Sequence, residues 1–132
     1  MNEILGCGID IEELIRFKKY IPAQTDIPGF SNLVYTDVEI NRNLNILPHL
    51  SFPIGFSCKE AFFKALGVSW TNSMISWKDI EILFSNKNDI GEYSIRLNGY
   101  ALELFHEKKC RKIESCLEYT HDYVIFQIIL LS

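Results

Sequence analysis

Apolar residues form short runs toward both ends of the chain and recur at helical spacing between them. Residues 4–11 are apolar and β-branched, with Gly6 and Gly8 among them, and predict a strand. From Glu12 the pattern changes: Leu14, Ile15, Phe17 and Tyr20 with interleaved charges predict a short helix ending before Pro22. The turn-rich stretch 22–29 predicts a loop. Thr36 with Glu39 three residues on is a capping-box pattern, so a helix is expected from Asp37 until the Asn-rich stretch 41–45 and Pro48. The strongest helix is expected over 52–66: Phe56, Phe63 and Leu66 share a face, Ala61 and Ala65 favour it, Pro53 suits its first turn, and Gly67 its C-cap. Residues 75–84 and 93–97 predict a hairpin about a turn at 86–91. Asn98 is expected to cap a helix running through Lys108, with Leu102 and Phe105 inward. Strands at 112–119 and 123–131 close the chain around a turn at 120–122. The order β-α-α-α-β-β-α-β-β predicts a single α+β domain, a mainly antiparallel sheet with helices packed on one side.

Composition adds limits. The chain has 132 residues, 48% of them hydrophobic, enough for a core without disulfides. Its net charge of −4 argues against nucleic acid as a ligand. Cys7, Cys58, Cys110 and Cys116 match no zinc or C-x-x-C spacing and predict buried free thiols in a reducing cytosol. The opening Met-Asn-Glu lacks the features of a signal peptide, and the apolar run 123–131 is too short to span a membrane. A cytoplasmic protein without membrane attachment is expected.

Candidate chemistry is sparse. Asp10 ends an apolar strand, where it suits either a helix cap or a ligand to a hard cation at a cleft. Glu12 lies on the same side if the strand persists that far; it is otherwise a solvated acid of a first helical turn. Lys59, Glu60 and Lys64 cluster on the strongest helix, with Glu60 and Lys64 spaced for a surface ion pair and apolar neighbours that suggest a half-buried face. Arg16, Lys18 and Lys19 form a basic patch, either a solvated face or a dock for an anionic partner. His49, His106 and His121 fit no metal motif, Ser57 has no nucleophile-elbow context, and no Walker or dinucleotide glycine loop occurs.

The segment Gly6-Cys7-Gly8-Ile9-Asp10-Ile11-Glu12-Glu13-Leu14-Ile15-Arg16-Phe17 resembles the opening of holo-acyl-carrier-protein synthases, the small 4′-phosphopantetheinyl transferases. Phe56-Ser57-Cys58-Lys59-Glu60-Ala61-Phe62-Phe63-Lys64-Ala65-Leu66-Gly67 is similar to their Lys-Glu-Ala helix, and 75–82 and 96–101 resemble the segments that follow. The resemblance implies transfer of the phosphopantetheine arm of coenzyme A to a serine of an acyl carrier protein. It implies Mg²⁺ held by Asp10 and Glu60, with Glu12 as a further carboxylate. Glu60, Lys64 and Asp10 would be catalytic, Lys59, Lys64, Gly67 and His121 would meet coenzyme A, and Arg16, Lys18 and Lys19 would dock the carrier. A homotrimer with sites at subunit boundaries is implied as well. The alternative is a relative that binds carrier or coenzyme A without turnover. Three places depart from the pattern. Gly55 stands where a phosphate-holding Arg is usual. His121 lies two positions past Tyr119, where the family's strand histidine falls. Gly91-Glu92-Tyr93 replaces a Gly-x-Pro.

Overall fold

The computed structural model describes residues 2–23 and 27–132. Strand β1 (Ile4–Glu13) leads into a 3₁₀ helix (Leu14–Tyr20), followed by helices α1 (Gly29–Val34), α2 (Asp37–Asn43) and α3 (Pro48–Leu66). A 3₁₀ turn (Trp77–Asp79) enters the hairpin β2 (Ile80–Asn86) and β3 (Asp89–Leu97). Helix α4 (Gly99–Glu107) and strands β4 (Lys112–Tyr119) and β5 (Tyr123–Leu131) complete the chain. Of the loop expected over 22–29, residues 24–26 lie outside those described.

The strands form two antiparallel sheets, β1-β5-β4 and the separate hairpin β2-β3. β5 is central, paired with β1 on one side and β4 on the other; Val124, Phe126, Ile128 and Leu130 are buried, and the residues between them are half-buried. α3 lies across this inward face, against β1 and β5. At 19 residues it spans roughly 28 Å at 1.5 Å per residue. The hairpin packs on α2 and α3 and meets the larger sheet through side chains, Tyr93 Oη lying 2.7 Å from Ser115 Oγ.

The glycine pair of β1 explains how closely strand and helix approach. A Cβ on Gly6 would lie 2.0 Å from the Ala65 carbonyl oxygen, and one on Gly8 would lie 1.9 Å from that of Ala61. Only hydrogen fits at either place. The register of β1 against α3 is therefore set by backbone contact.

Several boundaries differ from the sequence expectation. β1 runs two residues further, through Glu13, because β5 continues to pair with it there. The helix expected after it is 3₁₀. α1 was not expected, since Pro28 and Gly29 read as turn residues; here they stand at its N-cap and first position. α3 starts at Pro48 with Leu47 in a left-handed conformation before it, so Pro53 sits inside the helix and not in its first turn. The strand expected from 75 begins at Ile80, because Ser76 and Asp79 form a capping box around the 3₁₀ turn. Asn98 precedes α4 but makes no side-chain cap; its amide donates to Glu81 Oε1 at 3.3 Å. Phe105 and Ala101 point inward while Leu102 is exposed. Cys58 and Cys110 are buried as expected, whereas Cys7 and Cys116 are exposed; all four are free thiols. The Thr36–Glu39 capping box and the left-handed Gly67 C-cap (φ 76°) stand as read from the sequence.

Candidate active site

The close approach of β1 to α3 places the end of the strand over the middle of the helix. The Ser57 hydroxyl donates to the Asp10 carbonyl at 3.1 Å, locking the two elements just beyond Gly8. The Asp10 side chain shares a face with Gly6 and Gly8 and is turned toward α3. Lys64 Nζ donates to Asp10 Oδ1 at 3.1 Å and to the Ile9 carbonyl at 2.8 Å. Asp10 caps no helix, because the strand continues past it. Lys64 makes its ion pair across the seam with Asp10, not with Glu60 one turn back as helical spacing suggested.

The acids press on one another. The Glu12 carboxyl is pushed up to about 8 by burial and by the neighbouring Asp10 and Glu60, with the Arg16 charge opposing. Burial and the Asp10 charge raise Glu60 as well, and Lys64 moderates the rise. Among the described residues Asp10 Oδ2, a buried oxygen, has no hydrogen-bond partner. A solvent-excluded carboxylate oxygen left bare costs about 1–3 kcal/mol or more. Carboxylate oxygens of this kind are the donors a hard divalent cation takes, and Mg²⁺ commonly uses one or two carboxylates and completes its shell with water and substrate phosphate. Asp10 and Glu60 fit that demand. Among the described residues no three metal-ligating side chains are gathered into a cage, and Glu12 lies close enough to Asp10 and Glu60 to feel the charge of both.

The other expected residues scatter. Lys59 is not beside this cluster: it is fully buried and paired with Glu39 at 2.8 Å, because its side chain leaves α3 toward α2 and β2. Gly67 ends α3 with open space where a Cβ would be. His121 lines a cleft of about 470 Å³ with Glu13, Lys18, His49 and Tyr123. Arg16, Lys18 and Lys19 are exposed on the 3₁₀ helix, Lys19 lying 5.0 Å from the Tyr20 ring centre. Position 55 faces the interior: a Cβ there would meet Ile82 and Tyr35 at 3.4 Å. A side chain at 55 would therefore run into Tyr35, whose hydroxyl is held by the Phe52 carbonyl at 2.6 Å.

Sequence reasoning missed an aromatic wall beside Glu60. Phe56, one turn earlier on α3, stacks on Trp77 (5.2 Å, 25°) and meets Phe17 at 5.2 Å and Phe30 at 5.4 Å. Trp77 also meets Phe63 and the half-exposed Trp70. The helical offset of Phe56, Glu60 and Phe63 carried part of that signal; the contacts from Trp77 and Phe30 are long-range and left none.

The 4′-phosphopantetheinyl transferase superfamily matches the chain over residues 6–127. A holo-[acyl-carrier-protein] synthase of Clostridium tetani is 35% identical over 128 residues, covering 96% of this chain and 95% of that one. One of Chloroherpeton thalassium is 32% identical over 124 residues, covering 93% and 94%. The holo-ACP-synthase structure from Plasmodium yoelii superposes with a TM-score of 0.76 at 21% identity, covering 100% of this chain and 98% of that one. The Helicobacter pylori enzyme, solved in complex with coenzyme A, gives 0.71 at 23% identity, covering 94% and 98%. The chain belongs to the 4′-phosphopantetheinyl transferase superfamily and is an enzyme of that class.

Proposed function

We propose that this chain moves the 4′-phosphopantetheine arm of coenzyme A to a serine hydroxyl of an acyl carrier protein, with Mg²⁺ held by Asp10 and Glu60. The observation that carries the reading is the bare, buried Asp10 Oδ2 beside Glu60. In the reaction the serine oxygen attacks the phosphorus that bears the pantetheine arm. The bond to adenosine 3′,5′-bisphosphate breaks, and that group leaves with the electron pair. Bound Mg²⁺ supplies neutralisation of charge on the pyrophosphate. Glu60 accepts the serine proton, and its raised pKa suits a general base. Lys64, with half its side chain in solvent (51%), faces the transferring phosphate while it braces Asp10. Arg16, Lys18 and Lys19 give an acidic carrier a complementary surface that speeds encounter.

Assembly as a homotrimer belongs to the same reading. The outer face of the larger sheet supports it: Ile9 and Ile11 are 50% and 58% exposed beside Cys7, and the partner strand presents Ile125 and Ile129. Free exposed thiols at Cys7 and Cys116 suit the reducing cytoplasm, and among the described residues no helix is long and apolar enough to cross a membrane.

The deciding experiment incubates the protein with coenzyme A, Mg²⁺ and apo carrier proteins of its source, and follows carrier mass. The expected outcome is one phosphopantetheine added per carrier, lost with Asp10→Ala and with chelator. Tight carrier binding with no mass gain would favour a binding module instead.

A further inference from the structure

Lys59 stands next to Glu60 in the chain yet turns away from it into the core, and the proposed chemistry leaves it without a task. Its side chain is fully buried, as is that of Glu39. Three acceptors from three elements converge on its Nζ: Glu39 Oε1 of α2 at 2.8 Å, the Trp77 carbonyl of the 3₁₀ turn at 3.0 Å, and the Ile80 carbonyl at the start of β2. An ammonium has three N–H donors, so every one is used. Glu39 is equally occupied, accepting from Thr36 N at 3.0 Å and from Ile82 N at 3.2 Å. The chain of contacts continues outward through the Thr36 hydroxyl to Glu81 at 2.7 Å, and from Glu81 to Arg96 at 2.7 Å.

Stability alone is a weak reason for such a pair. Replacing a buried ion pair by apolar groups of similar volume is often neutral or favourable. What the pair supplies is direction. Neighbouring residues on an α-helix diverge by about 100°. Pinning Lys59 at three points therefore fixes the rotation of α3 about its axis, and with it the direction in which Glu60 leaves the helix. The Gly6 and Gly8 contacts and the Ser57 hydrogen bond hold α3 against β1, and the three hydrogen bonds of Lys59 hold it on the side of α2 and β2. The tether also reaches Glu60 a second way. Trp77, whose carbonyl holds Lys59, stacks on Phe56 one turn before Glu60.

We infer that Lys59 is a positioning residue: its tether to Glu39, Trp77 and Ile80 aims Glu60 toward Asp10, and Lys59 itself touches no substrate. The inference rests on the transferase reading of Asp10, Glu60 and Lys64.

The test uses the double variant Lys59→Met/Glu39→Gln, which leaves no buried unpaired charge. Its urea midpoint is expected near wild type. Its kcat per folded molecule is expected to fall about 10²-fold, the scale of a small misplacement of a reacting group. The KM for coenzyme A should stay within about twofold. A crystal structure of the variant should show the Glu60 carboxylate displaced relative to Asp10. A kcat within about twofold of wild type would reduce Lys59 to a structural tie and overturn the inference. A raised KM at unchanged kcat would mean that Lys59 meets substrate, with the same result. Should the double variant fail to fold, Glu39→Asp, which keeps the charge and both acceptor oxygens on a shorter side chain, is expected to show the same split on a smaller scale. If wild type transfers nothing, it is the transferase reading that falls. The inference is then judged by the crystal structures alone, and an unmoved Glu60 carboxylate sinks it.

Discussion

Two lysine–carboxylate pairs lie five residues apart on α3, and they are built in opposite ways. Lys59 and Glu39 are sealed in the core, and every donor and acceptor on both has a partner. Lys64 and Asp10 meet at the seam with β1, where Lys64 is half in solvent and one oxygen of Asp10 has no partner among the described residues. The charges are the same in kind, but the first pair ends a network and the second leaves one open. A satisfied network rigidifies, and an unsatisfied one is a place where a ligand gains what the protein alone leaves unmade. Around the open pair the Asp10 charge raises Glu12 and Glu60; around the closed pair the chain spends backbone carbonyls to hold a single ammonium.

That contrast can be broken or sharpened by substitution. The largest effect should come from the contact on which the seam depends. Gly8→Val puts carbon where the Ala61 carbonyl already lies, and the expected result is loss of the native far-ultraviolet melt at room temperature, a cost above about 3 kcal/mol. Glu39→Ala leaves Lys59 charged and unpaired in the core, and should cost about 3–5 kcal/mol by urea titration. Lys64→Ala tests the open pair. Stability should fall by about 1–3 kcal/mol, less than at Glu39, because Lys64 is half in solvent while the buried Asp10 loses its side-chain partner, and carrier modification should fall about 10²-fold, as when one charge-stabilising group is removed. Equal stability losses at Glu39 and Lys64 would erase the distinction. Gly55→Arg should destabilise by about 1–3 kcal/mol against Tyr35 without improving the KM for coenzyme A.

The smallest effect concerns the outer end of the closed network. Burial alone would raise the Glu81 carboxyl, but hydrogen bonds from Thr36 and Arg96, the Arg96 charge and the Asn98 amide bring it below its ordinary value. A carboxyl lowered in the folded state stabilises the fold above its unfolded pKa, and that stability is lost as pH falls through the folded value. The urea midpoint of wild type should therefore exceed that of Glu81→Gln at neutral pH, with the gap closing in acid. A gap that persists unchanged at low pH would show that the carboxylate charge is not its source.

The patterns that could be read along the chain are those whose cause is local. β5 was legible because a short apolar run needs only neighbours, and the helix over 52–66 because its face repeats within a turn or two. The Thr36–Glu39 box was legible as a cap, yet Glu39's hold on Lys59 was not, since the two are twenty positions apart and the sequence does not say which side of α3 a lysine takes. Lys59 was misplaced for that reason: adjacent charges in a shared motif read as one cluster, whereas a helix sends them apart. Helix α1 and the early start of α3 were missed because Pro28, Gly29 and Pro48 act as breakers in isolation and as helix starts when the chain before them is held elsewhere.

By itself the sequence determined the class of fold, the two motifs that carry the family likeness, and the residue types able to bind a cation and phosphate. Periodicity and short-range stereochemistry suffice for that. The tertiary structure decided which charges become a site. Gly6 and Gly8 bring β1 onto the backbone of α3, and only that approach sets Asp10 over Lys64 and leaves its second oxygen buried and bare. The same helix turns Lys59 into the core, where three acceptors from distant segments close around it. Burial and partnership are properties of packed elements, and no stretch of sequence contains them.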